Sequence, residues 1–253
     1  YRQLGGVSPI VGYTKRLVRR LQKVVDADVF YEMRYTSPFA KDVIEKVKDY
    51  DEIYAIPMYP HHSRTTTLSS IEDFISCAKK FKIEHKIKTI DYYYDNIFYN
   101  KAIVDRIKEA LKDDKAEEFE LVFSAHGLTQ RVIDKGDLYQ KHILANVEFV
   151  KEELKKQNIN FKKIDLAYQS RVGPMKWLQP YMEDKLKELG KKVIVYPISF
   201  TVDNSETLGE IVLEYGELAK EHGIKDYRVA KAPNSNYNFI LALKSIYEDL
   251  KLK

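Results

Sequence analysis

The 253 residues are enough to bury a sizeable core, in one large domain or two of ordinary size. With 44% apolar and 32% charged residues, and 42 basic residues interspersed with 38 acidic ones, the chain has a globular balance and lacks the concentrated basic face of a nucleic-acid binder. Its single cysteine, Cys77, excludes an intramolecular disulfide, an iron–sulfur cluster and a cysteine-rich zinc site, so any metal chemistry must use histidine, carboxylate or hydroxyl groups.

No apolar run approaches the roughly 20 residues of a membrane-spanning helix, and the polar start Arg2-Gln3-Leu4-Gly5-Gly6 has no apolar h-region. We therefore expect a cytoplasmic protein. Peripheral contact with the inner membrane, or with a neighbouring enzyme, stays open.

Ser8-Pro9 reads as a cap and first turn opening a helix to about Val25, with Ile10, Tyr13, Leu17 and Leu21 on one face. Val29–Met33 reads as a strand, and Ser37-Pro38 opens a helix through Asp49. Ile53–Pro57 is a predicted strand, Thr66–Phe81 a helix, Ile87–Tyr92 a strand and Ile97–Leu111 a helix. Further strands are expected at Glu120–Ser124, Ile164–Tyr168, Val193–Pro197 and Tyr227–Val229. Further helices are expected at Leu138–Lys156, Trp177–Leu189, Glu206–His222 and Asn236–Leu250. This alternation implies an α/β fold of parallel sheets covered by helices on both faces. Ile53–Pro57 and Val193–Pro197 are both strand–proline–polar loop–helix units, an echo that favours two sheets of four strands over one wide sheet. The expected organisation is 1–115 and 116–235 as two similar halves, with 236–253 a helix packing back on the first.

In such folds ligands bind beyond the carboxyl ends of the strands. His126, in Ser124-Ala125-His126-Gly127-Leu128, lies just past one such end and can serve as base or metal ligand; a loop histidine bonded to a neighbouring backbone group is the alternative. Glu206, Glu210 and Glu214 recur at i, i+4, i+8, which places three carboxylates on one helix face at steps of about 6 Å. They could handle a divalent cation or form a solvated acidic stripe. Met33-Arg34-Tyr35, the stretch from Met58 to Ser63, and the stretch from Gln169 to Trp177 follow other strands. They offer Met, Tyr and Trp surfaces for a flat aromatic ligand, with Arg34, Arg171 and Lys176 for its carboxylates. His61 and His62 are adjacent and point apart, so one metal shared by both is not expected. No Gly-rich phosphate loop and no Gly-x-Ser-x-Gly elbow occurs, against nucleotide-cofactor and hydrolase readings.

Several of these segments resemble one family. Gln169-Ser170-Arg171-Val172-Gly173-Pro174 with Trp177, Leu178 and Pro180, Ser124 through Leu128, and Phe200 through Thr207-Leu208 to Glu214-Tyr215 are similar to motifs of the ferrochelatases. So are Gly5-Gly6-Val7-Ser8-Pro9-Ile10 and Gly136-Asp137-Leu138-Tyr139. The order is that of the family, in its bacterial form without an iron–sulfur cluster. The strand and Gly-Pro loop that relatives carry ahead of Gly5-Gly6 are not part of this sequence, and Asn204 stands where many relatives have histidine.

The resemblance implies two Rossmann-like domains in the chelatase fold, with a porphyrin cleft between them. It also implies insertion of Fe(II) into protoporphyrin IX or coproporphyrin, with release of two protons, at the end of haem biosynthesis. His126 and Glu206 are then the catalytic pair. His126, Glu206, Glu210 and Glu214 handle the metal, and Met33, Arg34, Tyr35, Ser63 and Trp177 contact the porphyrin. Iron is substrate, no cofactor is required, and porphyrin and ferrous iron are the partners. The alternatives are a non-catalytic porphyrin or haem carrier and a cobalt chelatase acting on a sirohydrochlorin-type ring.

Overall fold

The computed structural model describes residues 8–253, so Gly5, Gly6 and Val7 lie outside the described residues. In the first half, α1 (Ile10–Leu21) and α2 (Ala40–Val47) precede β1 (Ile53–Ala55). A π-helical segment, Arg64–Leu68, leads into α3 (Ser69–Lys79), followed by β2 (Ile87–Thr89) and α4 (Ile97–Leu111). The second half holds β3 (Glu120–His126), α5 (Gln130–Asp134), α6 (Tyr139–Lys156), β4 (Lys163–Gln169) and α7 (Met182–Leu186). It continues with β5 (Lys192–Pro197), a second π-helical segment at Thr207–Glu214, α8 (Tyr215–Glu221), β6 (Asp226–Val229) and α9 (Tyr237–Lys251).

The strands of the second half form one parallel sheet in the order β4-β3-β5-β6, with Phe123 opposite both Leu166 and Tyr196. Successive side chains on a strand face opposite ways, and the core divides accordingly. Leu121, Phe123, Ala125, Ile194 and Tyr196 pack toward α4, α6 and α9. Val122, Val193 and Val195 meet Met182, Leu186, Ile211, Tyr215 and Ala219 on the other side. A strand buried on both faces must be apolar throughout, which is why Leu121-Val122-Phe123 and Val193-Ile194-Val195 are continuous hydrophobic runs.

Two asparagines start the helices that cover one face. Asn96 Oδ1 accepts the N–H groups of Phe98 and Tyr99 at 3.0 and 3.1 Å, and Asn236 Oδ1 those of Asn238 and Phe239 at 2.8 and 3.4 Å. Each cap also reaches the other helix, Asn96 through Ser245 and Asn236 through Asp105. So α4 and α9 are pinned together, with α4 against β5 and α6 and α9 against α1 and β1.

The structure departs from these expectations in four places. The first sheet is not four-stranded among the described residues: it consists of β1 and β2, paired in parallel from Ile53–Ile87 to Ala55–Thr89. Residues 29–33 form no strand, because no described strand lies beside them. The Val29 N–H goes to the Gln22 side chain and that of Met33 to the Pro38 carbonyl. The helix expected over Trp177–Leu189 is reduced to α7. Pro180 disfavours helix at Gln179, and the preceding backbone pairs with the loop after β3, Leu178 N–H donating to the Leu128 carbonyl and Gln130 N–H to that of Lys176. The Ser37-Pro38 start moves to Phe39, whose N–H is capped by Asp42 at 2.9 Å. Among the described residues no helix is long and apolar enough to cross a membrane.

Phe239 is fully buried with its ring 6.0 Å from that of Tyr99, in the seam between α9 and α4. Phe239→Ala should cost about 3–5 kcal/mol of stability. Urea unfolding will show it as a lower midpoint with an unchanged slope.

Candidate active site

The carboxyl ends of β3, β4 and β5 bring their following loops together, and the loop after β1 closes the opposite wall. His126 is the last residue of β3, and two hydroxyls hold its backbone. Its N–H donates to Ser199 Oγ at 3.0 Å, and its carbonyl accepts from the Tyr139 hydroxyl at 2.8 Å. Tyr139 and Ser199 oxygens are 2.6 Å apart. Since the Tyr139 proton is committed to the carbonyl, Ser199 donates to Tyr139, and the ring of hydrogen bonds closes. Burial raises the Tyr139 phenol far above its ordinary range, so it stays a neutral donor.

The imidazole Nδ1 lies 2.9 Å from Glu206 Oε2. A carboxylate only accepts, so the proton of a neutral ring sits on Nδ1 and its Nε2 lone pair is left free. Burial works to raise the Glu206 carboxyl, but the hydrogen bond and charge of His126, helped by Ser170, pull it below its ordinary 4.5. Asn204 starts the helix that carries Glu206. Its Oδ1 accepts the N–H groups of Glu206 at 2.8 Å and Thr207 at 3.3 Å, while its own N–H donates to Thr207 Oγ1 at 2.9 Å. The residue at the position of the family's histidine is thus a helix cap.

Glu210 is heavily bonded. Its Oε1 accepts the Ser170 N–H at 2.7 Å and the Tyr215 hydroxyl at 2.8 Å, and its Oε2 accepts Gln169 Nε2 at 3.0 Å and Ser170 Oγ at 2.5 Å. Ser170 Oγ is also 3.4 Å from Glu206 Oε2, so one hydroxyl stands between the two carboxylates. Ser170 adopts φ of 63°, a left-handed conformation that costs a non-glycine residue about 1–3 kcal/mol. That conformation turns both its N–H and its hydroxyl toward Glu210. Gln169 is fixed in turn by Ser124 Oγ at 2.6 Å.

A cavity of about 280 Å³ opens beside the pair, lined by Tyr35, His61 and Ser63 from the first half and His126, Phe200 and Glu206 from the second. Asp137 ties the two walls. It accepts from Ser63 Oγ at 3.0 Å and Arg64 N–H at 2.8 Å across the cleft, and from Tyr139 N–H at 2.9 Å on its own side.

Of the residues singled out in the sequence, His126, Glu206, Tyr35 and Ser63 therefore share one cavity, with Glu210 joined through Ser170. Glu214 lies further along the π-helical segment, exposed. Met33, Arg34 and Trp177 do not line the cavity. Arg34 is paired with Asp73 at 3.3 Å, and the Trp177 indole donates to the Val172 carbonyl at 3.1 Å. Among the described residues no three His, Cys, Asp or Glu side chains are grouped to hold a metal ion. Sequence reasoning missed the linking role of Ser170 and the brace of Ser199 and Tyr139. Their signal was position alone, immediately after a strand or inside a recognised motif.

Parallel sheets, helices on both faces and a cleft at the strand ends define a chelatase fold. SirB from Bacillus subtilis with Fe3+ superposes with a TM-score of 0.70 at 12% identity, over 94% of this chain and 88% of that one. CbiX, the terminal enzyme for biosynthesis of sirohaem in denitrifying bacteria, gives 0.60 at 10% identity over 95% and 93%. At these identities the likeness is one of fold. The sequence goes further: the Ferrochelatase family model matches residues 1–250. The chain is 45% identical to the ferrochelatase of Sulfurimonas denitrificans, covering 99% of this chain and 81% of that protein. It is 42% identical to the ferrochelatase of Campylobacter jejuni subsp. jejuni, covering 100% and 80%. The chain belongs to the ferrochelatase family of enzymes.

Two outcomes follow. A Cβ at Gly127 would sit 2.7 Å from the Gln169 carbonyl oxygen, a backbone atom. Gly127→Ala should therefore push the ends of β3 and β4 apart, lowering the melting temperature and loosening the Gln169–Glu210 contact in a crystal structure. Because the Glu206 carboxyl is held below 4.5 in the folded state, its contribution to stability is complete above that pH and lost as pH falls through the lower folded value. Urea midpoints of the parent and Glu206→Gln should differ at neutral pH and converge in acid.

Proposed function

We propose that this enzyme inserts ferrous iron into a porphyrin, protoporphyrin IX or coproporphyrin, as the last stage of haem biosynthesis. The observation that carries the reading is the His126–Glu206 pair at 2.9 Å, which leaves a free Nε2 beside the cavity. Metal insertion requires two pyrrole N–H protons to leave and the nitrogen lone pairs to tilt out of the ring plane. His126 Nε2 accepts a pyrrole proton, and Glu206 holds Nδ1 and stabilises the imidazolium that forms. Ser170 then links Glu206 to Glu210, and Glu210 and Glu214 continue the row outward for protons or the incoming cation. Iron enters and leaves as Fe(II), so the reaction calls for no redox cofactor.

The cavity is at the small end of ligand sites and encloses one edge of a macrocycle. The ring's remaining area lies toward the exposed Tyr35. Clamping it in a bent shape costs about 1–5 kcal/mol, supplied by contacts remote from the metal. A cytoplasmic location, with peripheral contact at the inner membrane, belongs to the same reading.

The test is to mix the protein anaerobically with protoporphyrin and Fe(II) and follow the Soret and visible bands. Catalytic conversion to the haem spectrum is expected. Stoichiometric binding without turnover would replace the reading with that of a carrier, and turnover confined to cobalt and a sirohydrochlorin-type ring with that of the other chelatase class. His126→Ala should lower turnover about 10²- to 10⁴-fold with porphyrin binding retained. Glu210→Gln should weaken the apparent affinity for iron more than Glu214→Gln does.

A further inference from the structure

His61 lines the same cavity as His126 but from the wall of the first half, and the chemistry above does not use it. The residue is 2% exposed, and its Nε2 lies 2.9 Å from Oδ1 of Asn146, a fully buried residue of α6 in the other half. Groups two links away decide where the proton sits. Asn100 Nδ2 donates to the backbone carbonyls of Tyr94 and Asn96, each at 3.0 Å. Carbonyls only accept, so Asn100 presents its Oδ1 on the other side. Asn146 Nδ2 donates to that Oδ1 at 2.7 Å and to the Tyr94 carbonyl at 3.1 Å. The Tyr94 carbonyl has two lone pairs and takes both donors. Both amide orientations are then fixed, and Asn146 Oδ1 faces His61 as an acceptor. The imidazole proton therefore sits on Nε2, which leaves Nδ1 as the acceptor nitrogen.

The surroundings keep this ring neutral. Burial lowers its pKa to about 3, the Asn146 hydrogen bond offsets part of that, and His142 nearby lowers it further. The other titratable groups against it are Tyr94, stacked at 6.2 Å, and Tyr139, edge-on at 6.0 Å.

We propose that Asn146 is a positioning residue: with Asn100 and the Tyr94 carbonyl it locks His61 in the Nε2–H tautomer, so that the wall facing His126 presents a permanent lone pair to an N–H group of the ligand. The inference rests on the porphyrin reading of the cleft. A macrocycle held there meets a proton-accepting base in His126 and a hydrogen-bond acceptor that keeps no proton in His61. His61 orients the ring and His126 deprotonates it.

Nitrogen-15 NMR of the full chain tests the lock without any substitution. The His61 ring is expected to show a protonated Nε2 and a bare Nδ1, unchanged between about pH 5 and 8. A ring protonated on Nδ1, or one titrating in that range, overturns the proposal. Neither result depends on chelation, so failure here is separate from failure of the chelatase reading, which the absorbance assay decides. Adding metal-free protoporphyrin should shift the Nδ1 resonance; a resonance unmoved when absorbance shows saturation overturns the orienting role. Asn146→Ala removes the acceptor from Nε2 and should release the lock, so that the His61 ring shows both neutral tautomers. A ring still held wholly as the Nε2–H tautomer in that variant counts against the proposal.

Discussion

Carboxylate and carbonyl oxygens accept hydrogen bonds and cannot donate them, and the rim of this cleft is ordered by that asymmetry. At Glu206 it assigns the His126 proton to Nδ1. At Glu210 it gathers the N–H and hydroxyl of Ser170, the Gln169 amide and the Tyr215 phenol around one acceptor. On the opposite wall the carbonyls of Tyr94 and Asn96 orient two asparagines and, through them, a histidine. The donors and acceptors of the site thus fix one another, and the positions of the imidazole protons follow from geometry.

That geometry depends on the sheet beneath it. The order β4-β3-β5-β6 places β3 between β4 and β5, so His126, Gln169 and the segment after Pro197 emerge side by side. Because the inner strands are buried on both faces, neither can shift by one residue without turning a core side chain to the wrong layer. The register between His126 and Gln169 is therefore as firm as the core, and the close approach at Gly127 depends on it.

Much of this was legible in the sequence where the signal is local. The apolar runs Leu121–Phe123 and Val193–Val195 announce buried parallel strands, and that reading places His126 at the end of its strand and Glu206 on the helix that follows the next, where the structure finds them. What was not legible is decided by distant partners. Residues 29–33 have strand-like composition, yet a strand exists only with a neighbour to pair with. Trp177–Leu189 carries helical periodicity, but Pro180 and pairing with the loop after β3 keep most of it irregular. Arg34 looked like a free cation for a ligand carboxylate until Asp73 was seen beside it. Ser170 could not be read as a link, because nothing local announces a left-handed backbone at a serine.

The π-helical segment at Thr207–Glu214 carries a different kind of consequence. Its last turn closes with the Tyr215 N–H on the Glu210 carbonyl, five residues back instead of four. An α-helix would need one residue fewer in that turn. Residues five apart on an α-helix stand about 140° apart around the axis, so it is the widened turn that brings Tyr215 round to the face of Glu210 and lets its hydroxyl reach the carboxylate at 2.8 Å.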